Sequence, residues 1–402
     1  MSATLTPTLF LQQTLAAYRT LFPFIGRMGV DFSAGPLFLN QTAKAHIRTL
    51  PTAAAYDATT GYANGATEAR DLLTDLDILI DSHKHVPVKL DHLNAIADQK
   101  EALEGSIADT AYVLGKAMVD TVTAKFKSSN LSYSATYSTA NSDLDVIEEI
   151  TTTLNTNGAS PAGRIGLVSS AVAQTLALDS RVASRDYYGQ LTGRGGLRRF
   201  TGVGGFEAIY EYPGLGTNNG TGKTFTTTHA SELVNCTGHG FSTGDRVRLT
   251  TSAADLPNGY AVDTTYYVIK VSADTLKLAA SDADATAGTP VAISDDGTGT
   301  HTITGYENVS GIFFESQAIA LRAGAPTQSA EIASMLGIPA TMGMDRLSDP
   351  ISGFTLALMK WMQPGTADLY ISPTALWGSV VGRQAGTAGA LTDKSAVLLR
   401  TA

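Results

Sequence analysis

The chain holds one cysteine, Cys236, so neither an intrachain disulfide nor a multi-cysteine metal site is open to it and nothing calls for an oxidising compartment. Charged residues are sparse at 16%. No apolar run approaches the roughly 20 residues that span a bilayer, and stretches such as 165–178 are broken by Ser, Gln and Thr. Basic residues are the minority: 28 Lys and Arg face 37 Asp and Glu, and a formal charge of −9 argues against a surface built mainly to grip phosphate. The apolar N-terminal stretch lacks a basic segment ahead of it, so no secretory signal is expected, and the chain reads as soluble and intracellular where it is made. What is present, 43% hydrophobic residues with 39 Gly and 14 Pro in 402, fits a globular chain of two or three domains rich in small residues.

Residues 1–50 read as an arm. Short apolar clusters (Leu9, Phe10, Leu11; Leu21, Phe22, Phe24, Ile25) are separated by Pro7, Pro23 and Pro36 without a long period, so their packing partners are expected on another copy. Arg19, Arg27, Lys44 and Arg48 outnumber Asp31 there. Residues 51–71 are small, polar and Gly-rich, and strand alternation follows at 72–81 and 85–90, which together suggest a long β-hairpin with an extended loop. The hairpin is acidic, with Asp71, Asp75, Asp77 and Asp81 opposing Arg70, and 49–82 contains no Lys. From Asp91 to Lys127 apolar residues recur at helical spacing, predicting a helix of roughly 54 Å with Asp91 as N-cap. A second helix (144–154), a buried strand (165–169) and a short helix (171–178) give the middle region an alternating α and β texture.

Between 217 and 305 the texture changes to short alternating runs separated by turn residues: 233–237, 245–250, 265–271, 275–279, 291–293 and 301–304. This reads as an all-β module inserted into a host loop, with a core of Val247, Leu249, Tyr267, Ile269, Leu276 and Leu278. Strands return at 354–361 and 395–400.

Four patterns imitate chemistry. Gly220-Thr221-Gly222-Lys223-Thr224 resembles the end of a phosphate loop, but Thr217 stands where the first glycine belongs and strand-favouring residues follow, so a linker turn is favoured. Gly240-Phe241-Ser242-Thr243-Gly244 matches a nucleophile elbow, yet a strand follows instead of a helix. Cys236 and His239, with His229 and His301, have ligand types without ligand spacing; His83 and His85 share a strand face without a third partner. Arg181, Arg185, Arg194, Arg198 and Arg199, interleaved with Tyr187 and Tyr188, form the best nucleic-acid candidate, but Asp179 and Asp186 and the acidic whole favour subunit contacts instead. No catalytic residue, cofactor or metal is expected.

In order, FPFIGRMGVDF (22–32), HKHVPVKLDHLNAIAD (83–98), SDLDVIEEITTTLN (142–155), GRIGLVSSAV (163–172), GVGGFEAIYEY (202–212) and SQAIALRAGAP (316–326) resemble segments of tailed-bacteriophage major capsid proteins of the Hong-Kong-97-type fold. HGFSTGDRVRLTT and TTYYVIKVSADTLKLAAS, within 217–305, resemble a small β module of phage structural proteins. The resemblance implies an α+β capsid fold: an N-terminal arm (1–50), an extended hairpin loop (51–82) and a peripheral domain with a spine helix (83–140). An axial domain (141–216) follows, then the inserted all-β domain (217–305), and 306–402 completes the axial domain and returns to the peripheral one. It implies no enzyme but a virion subunit made in the bacterial cytoplasm, self-assembling into pentamers and hexamers of an icosahedral head. Scaffolding and portal proteins are the implied partners, with packaged double-stranded DNA touched weakly and no membrane. Inter-subunit contacts are expected at Arg19, Arg27, Asp71, Asp75, Asp77, Asp81 and the five arginines. The alternatives are an encapsulin-like compartment shell, or a hydrolase using Ser242.

Overall fold

Phe10, Thr14, Tyr18 and Phe22 recur every four residues with Leu11 and Leu15 in the adjoining row, which is the spacing of one helix face. Pro7 suits the first position of such a helix, where its missing N–H has no intrahelical partner to lose. The computed structural model describes residues 7–32, 37–48, 56, 58–59, 73–90, 96–137, 143–179, 198–216, 220–252, 255–326, 343–348, 355–362, 368–383 and 389–401. It forms helix α1 at Pro7–Leu21. Phe10 and Leu11 are 2% and 1% exposed within their own chain, which corrects the expectation that their partners lie on another copy. The chain divides into two compact units, 1–122 with 319–380 and 123–318 with 381–402.

In the first unit α1 lies on the strands Gly343–Ser348 and Thr355–Met362. The long helix α2 runs from Ile96 to Thr123, about 42 Å, and its buried row Leu103, Ile107, Ala111, Leu114, Met118, Val122 follows the sequence period. The Phe22 ring fills the space a Cβ on Gly115 would take, and Tyr18 Oη reaches Met118 Sδ at 3.2 Å. The N-cap expected at Asp91 falls outside the described residues. At its other end the helix stops four residues before Lys127: the Phe126 N–H turns back to Thr123 O (3.0 Å) as its ring becomes fully buried, and Ser128, Ser129 and Asn130 favour local turns over helix.

The hairpin pairs Thr42–Arg48 with Leu73–Leu79 in antiparallel register, so its first arm lies in the segment read as an N-terminal arm and includes Lys44. A seven-stranded sheet carries, as neighbours, Gly29–Phe32, Ile319–Gly324, Leu369–Val381, Thr355–Met362 and Gly343–Ser348. Ser82–His85 and Val88–Leu90 both pair with Leu369–Val381, a strand of 13 residues that Pro373 hides from sequence reading. The break between those two short strands lies opposite Pro373: its carbonyl accepts the Val86 N–H (3.1 Å) where no donor from Pro373 is needed.

The second unit is built on a six-stranded sheet in the order Ser134–Tyr137, Ala396–Thr401, Val309–Phe314, Ile165–Val168, Ala208–Glu211, Arg199–Thr201. Its central strands are buried along their length, as continuous apolar runs require. Helices α3 (Asp143–Thr156) and α4 (Ser170–Leu178) supply Val146, Ile147, Ile150, Leu154, Val172 and Leu176 to the core with Phe200, Phe206 and Phe313.

Between Ala208–Glu211 and Val309–Phe314 the chain forms a closed barrel of six strands, ordered Lys223–Thr228, Leu233–Asn235, Thr275–Ala279, Thr265–Lys270, Arg246–Thr251, His301–Gly305. Val247, Leu249, Leu276 and Leu278 point inward as expected, but Tyr266 and Val268 do so in place of Tyr267 and Ile269. The run TYYVIK is apolar in both phases, and pairing decides: Val247 faces Tyr266 and Val268 faces Leu278, leaving Tyr267 opposite Arg246 and Ile269 opposite Lys277. The segment 291–293 is not a strand; Ile293 plugs the core from a loop. A short helix α5 (Asp282–Ala287), capped by the Ser281 hydroxyl and ended by Gly288, was not anticipated.

Phe10→Ala in the isolated subunit should lower unfolding free energy by about 3–5 kcal/mol. A urea titration that shows no loss would return α1 to the status of an arm packed elsewhere.

Candidate assembly surfaces and a buried polar seam

On the solvent face of the hairpin, Lys44 stands opposite Asp77 and its Nζ reaches Asp75 Oδ2 at 3.2 Å. Both partners are open to water, so the pair is worth only about 0–1 kcal/mol. Asp75 is thus engaged within its own hairpin, Asp77 is exposed, and Asp81 accepts the Ser82 hydroxyl (2.9 Å). Asp71 lies outside the described residues. Arg19 sits in the last turn of α1, where a cation suits the helix dipole, and Arg27 ends a single 3₁₀ turn, Ile25–Arg27.

The arginine cluster is divided. Arg181, Arg185 and Arg194 fall outside the described residues. Arg198 donates its N–H to Glu211 Oε2 (3.2 Å) with its Nε 3.9 Å from the same oxygen, and Arg199 lies over the Tyr210 ring at 5.3 Å. Both are engaged by the neighbouring strand Ala208–Glu211.

The imitated motifs have structural explanations. Lys223 opens a barrel strand and donates to Gly238 O, so the loop before it cradles nothing with that amine. Ser242 sits in a turn between strands; His239 accepts the Phe241 N–H at Nδ1 and meets Ser272 O at Nε2, leaving neither nitrogen for Ser242. His301 meets Thr251 Oγ1 and the Phe225 ring, and His229 pairs with Asp296. Cys236 is buried, and burial pushes its thiol up. His83 and His85 meet the buried hydroxyls of Thr374 (2.9 Å) and Ser372 (3.1 Å), and burial with the neighbouring His85 holds the His83 imidazole below its ordinary range. Among the described residues no three His, Cys, Asp or Glu side chains converge as a metal site, and no helix is long and apolar enough to cross a membrane.

The densest polar arrangement in the second unit was not found from sequence. The loop Lys127–Asn130, just past α2, is held by four other segments. Glu307 Oε2 accepts the Ser128 N–H (2.9 Å) and hydroxyl (3.2 Å), while Oε1 accepts the Arg246 N–H (2.9 Å). Arg400 Nη2 reaches Glu307 Oε2 (3.3 Å) and the Ser128 hydroxyl (2.7 Å). Lys127 Nζ meets Asp245 Oδ2 (2.7 Å), which also takes the Ser242 N–H. Arg383 binds Asp282 at the start of α5 (3.0 Å) and the carbonyls of Ser128 and Ser129. Burial pushes the Glu307 carboxyl up against the pull of Arg400 and two backbone N–H groups, and pushes the Arg400 guanidinium down.

Two glycines make the seam possible. Gly244, the last residue of the elbow-like motif, has φ +88°, and a Cβ there would stand 3.2 Å from Ser129 Cα and 3.1 Å from Arg383 Nη2. Gly382 has φ +75°, and its Cβ would fall on the Asn130 carbonyl. The only sequence hint was isolated charges beside apolar runs, Glu307 before VSGIFF and Arg400 after VLL.

Asp245→Ala should cost about 3–5 kcal/mol, because it strands Lys127 at a buried seam, whereas Ser242→Ala should leave stability within about 0.5 kcal/mol. Equal denaturation midpoints for the two variants would contradict this assignment of the turn.

No family model matches the chain, and no curated protein matches it. Among solved structures it is similar to the capsid of the cyanophage P-SCSP1u at 12% identity and TM-score 0.42, covering 94% of this chain and 88% of that one. It is similar to the capsid of Ralstonia phage GP4 at 7% identity and TM-score 0.44, covering 94% and 89%. A virus-like particle from Pyrococcus furiosus is similar at 7% identity and TM-score 0.40, covering 97% and 98%.

Proposed function

We propose that this chain is a shell subunit, the major capsid protein of a tailed phage, that assembles as pentamers and hexamers into an icosahedral head enclosing double-stranded DNA. The observation that carries the reading is the order of parts: α1, the Thr42–Leu79 hairpin, α2, then a sheet flanked by α3 and α4 and interrupted by a barrel. The motifs that resemble phage shell subunits fall on these parts in the same order. The hairpin buries its apolar face, Ile78 with Ile80, Ala320 and Leu376, on its own subunit and turns Asp75 and Asp77 to solvent, a face open to contact with a neighbour. The acidic balance suits a wall that must not bind the genome tightly. Scaffolding and portal proteins are the further partners of this reading, and the barrel is an inserted domain displayed on the shell. Both ring nitrogens of His239, the histidine nearest in sequence, are engaged elsewhere than at Ser242, which weighs against the hydrolase alternative.

Electron microscopy of the purified protein tests the proposal. Closed icosahedral particles or ring-shaped capsomers are the expected result; a monodisperse monomer with esterase turnover would overturn it. Replacing Asp75 and Asp77 by Lys should reduce particle yield, with the deficit shrinking as salt rises. Unchanged yield at low salt would remove the hairpin's acidic face from the assembly contacts.

A further inference from the structure

The barrel and the six-stranded sheet each have an apolar cluster of their own, Val247, Leu249 and Leu278 in one, Ile150, Phe206 and Phe313 in the other, and the clusters share no residue. The seam between them is crossed by Lys127 to Asp245, Arg383 to Asp282 and the Arg246 N–H to Glu307, with Arg400 paired to Glu307 on the host side. Among the described residues, Ser129 Oγ, Asp245 Oδ1 and Arg246 Nε are buried at this seam with no protein hydrogen-bond partner. Such atoms oppose docking, since each loses hydration without a replacement. Chain entry and exit are adjacent, because Gly220 N–H donates to Gly305 O (3.0 Å), so the barrel is joined to its host through one narrow stem.

We propose that the barrel undocks from its host as a folded body about the 220/305 stem, through an opening of the seam that leaves both apolar cores closed. The physical asymmetry is plain. Opening the seam returns charged groups to water and satisfies the three stranded atoms, whereas opening either core exposes apolar surface. Local opening of this kind occurs where contacts are polar and the adjoining cores are independent. The seam therefore sets the barrel's orientation and also permits its release.

Native-state hydrogen exchange on the full-length subunit before assembly tests this. The Arg246 amide donates to Glu307 Oε1 and the Tyr306 amide to Arg246 O, both between barrel and host, and they should exchange through an opening at least about tenfold faster than Leu276 in the barrel and Ile312 in the sheet, each paired with a strand on both sides. Asp282→Asn, on the barrel's surface helix, and Glu307→Gln each weaken the docked state from which local and global opening both start, so each should speed seam and core amides by a similar factor and leave the gap in protection between them. If Glu307→Gln impairs folding, Asp282→Asn alone carries the comparison. Seam amides that exchange with the same protection and denaturant dependence as Leu276 and Ile312, in the parent or in the variants, would show one cooperative body and overturn the proposal.

Discussion

The second unit turns on one carboxylate. Glu307 is 4% exposed, yet it receives two backbone N–H groups, a hydroxyl and a guanidinium from three segments far apart in sequence. Desolvating that group costs several kcal/mol unless every lone pair is answered, so the segments supplying its donors are constrained together. The bent loop after α2, the positive φ of Gly244 and the close approach of Gly382 to Asn130 all follow from bringing those donors to one place. A buried ion pair is weak evidence of added stability, but it is a demanding specifier of geometry, because any other placement leaves charge unpaired in a dry setting.

Elsewhere the described polar groups are mostly spent on structure. Histidines close strand pairs, the edge arginines serve their own sheet, and the serine that imitates a nucleophile lies in a turn whose last glycine is needed for packing. Weak exposed pairs such as Lys44 with Asp75 contribute little to the hairpin that holds them.

Elements with a clean period were legible: α3, the strand Ile165–Val168, the hairpin arm Leu73–Leu79 and most barrel strands carry their spacing in the sequence, whereas the strand at 85–90 joins Leu369–Val381 instead of the hairpin. Where period was ambiguous, reading failed for physical reasons. In α1 the row Phe10, Thr14, Tyr18, Phe22 was obscured by a threonine and by flanking prolines. In TYYVIK both faces are apolar, so only pairing sets the phase. Pro373 hid a long strand because its tolerance depends on a gap in a neighbouring strand nearly 290 residues earlier, a fact of topology. The seam was almost illegible, since its partners lie 61 to 272 residues apart and isolated charges beside apolar runs mark only Glu307 and Arg400.

Closure of the barrel has a consequence for crowding. A sheet with open edges, repeated at the density of a protein wall, would offer each copy's unpaired N–H and C=O groups to the next, and pairing between copies would compete with correct placement. Here the first strand, Lys223–Thr228, bonds to the last, His301–Gly305, and the ring leaves no edge to offer. Such a module can be packed side by side in large numbers without templating its neighbours.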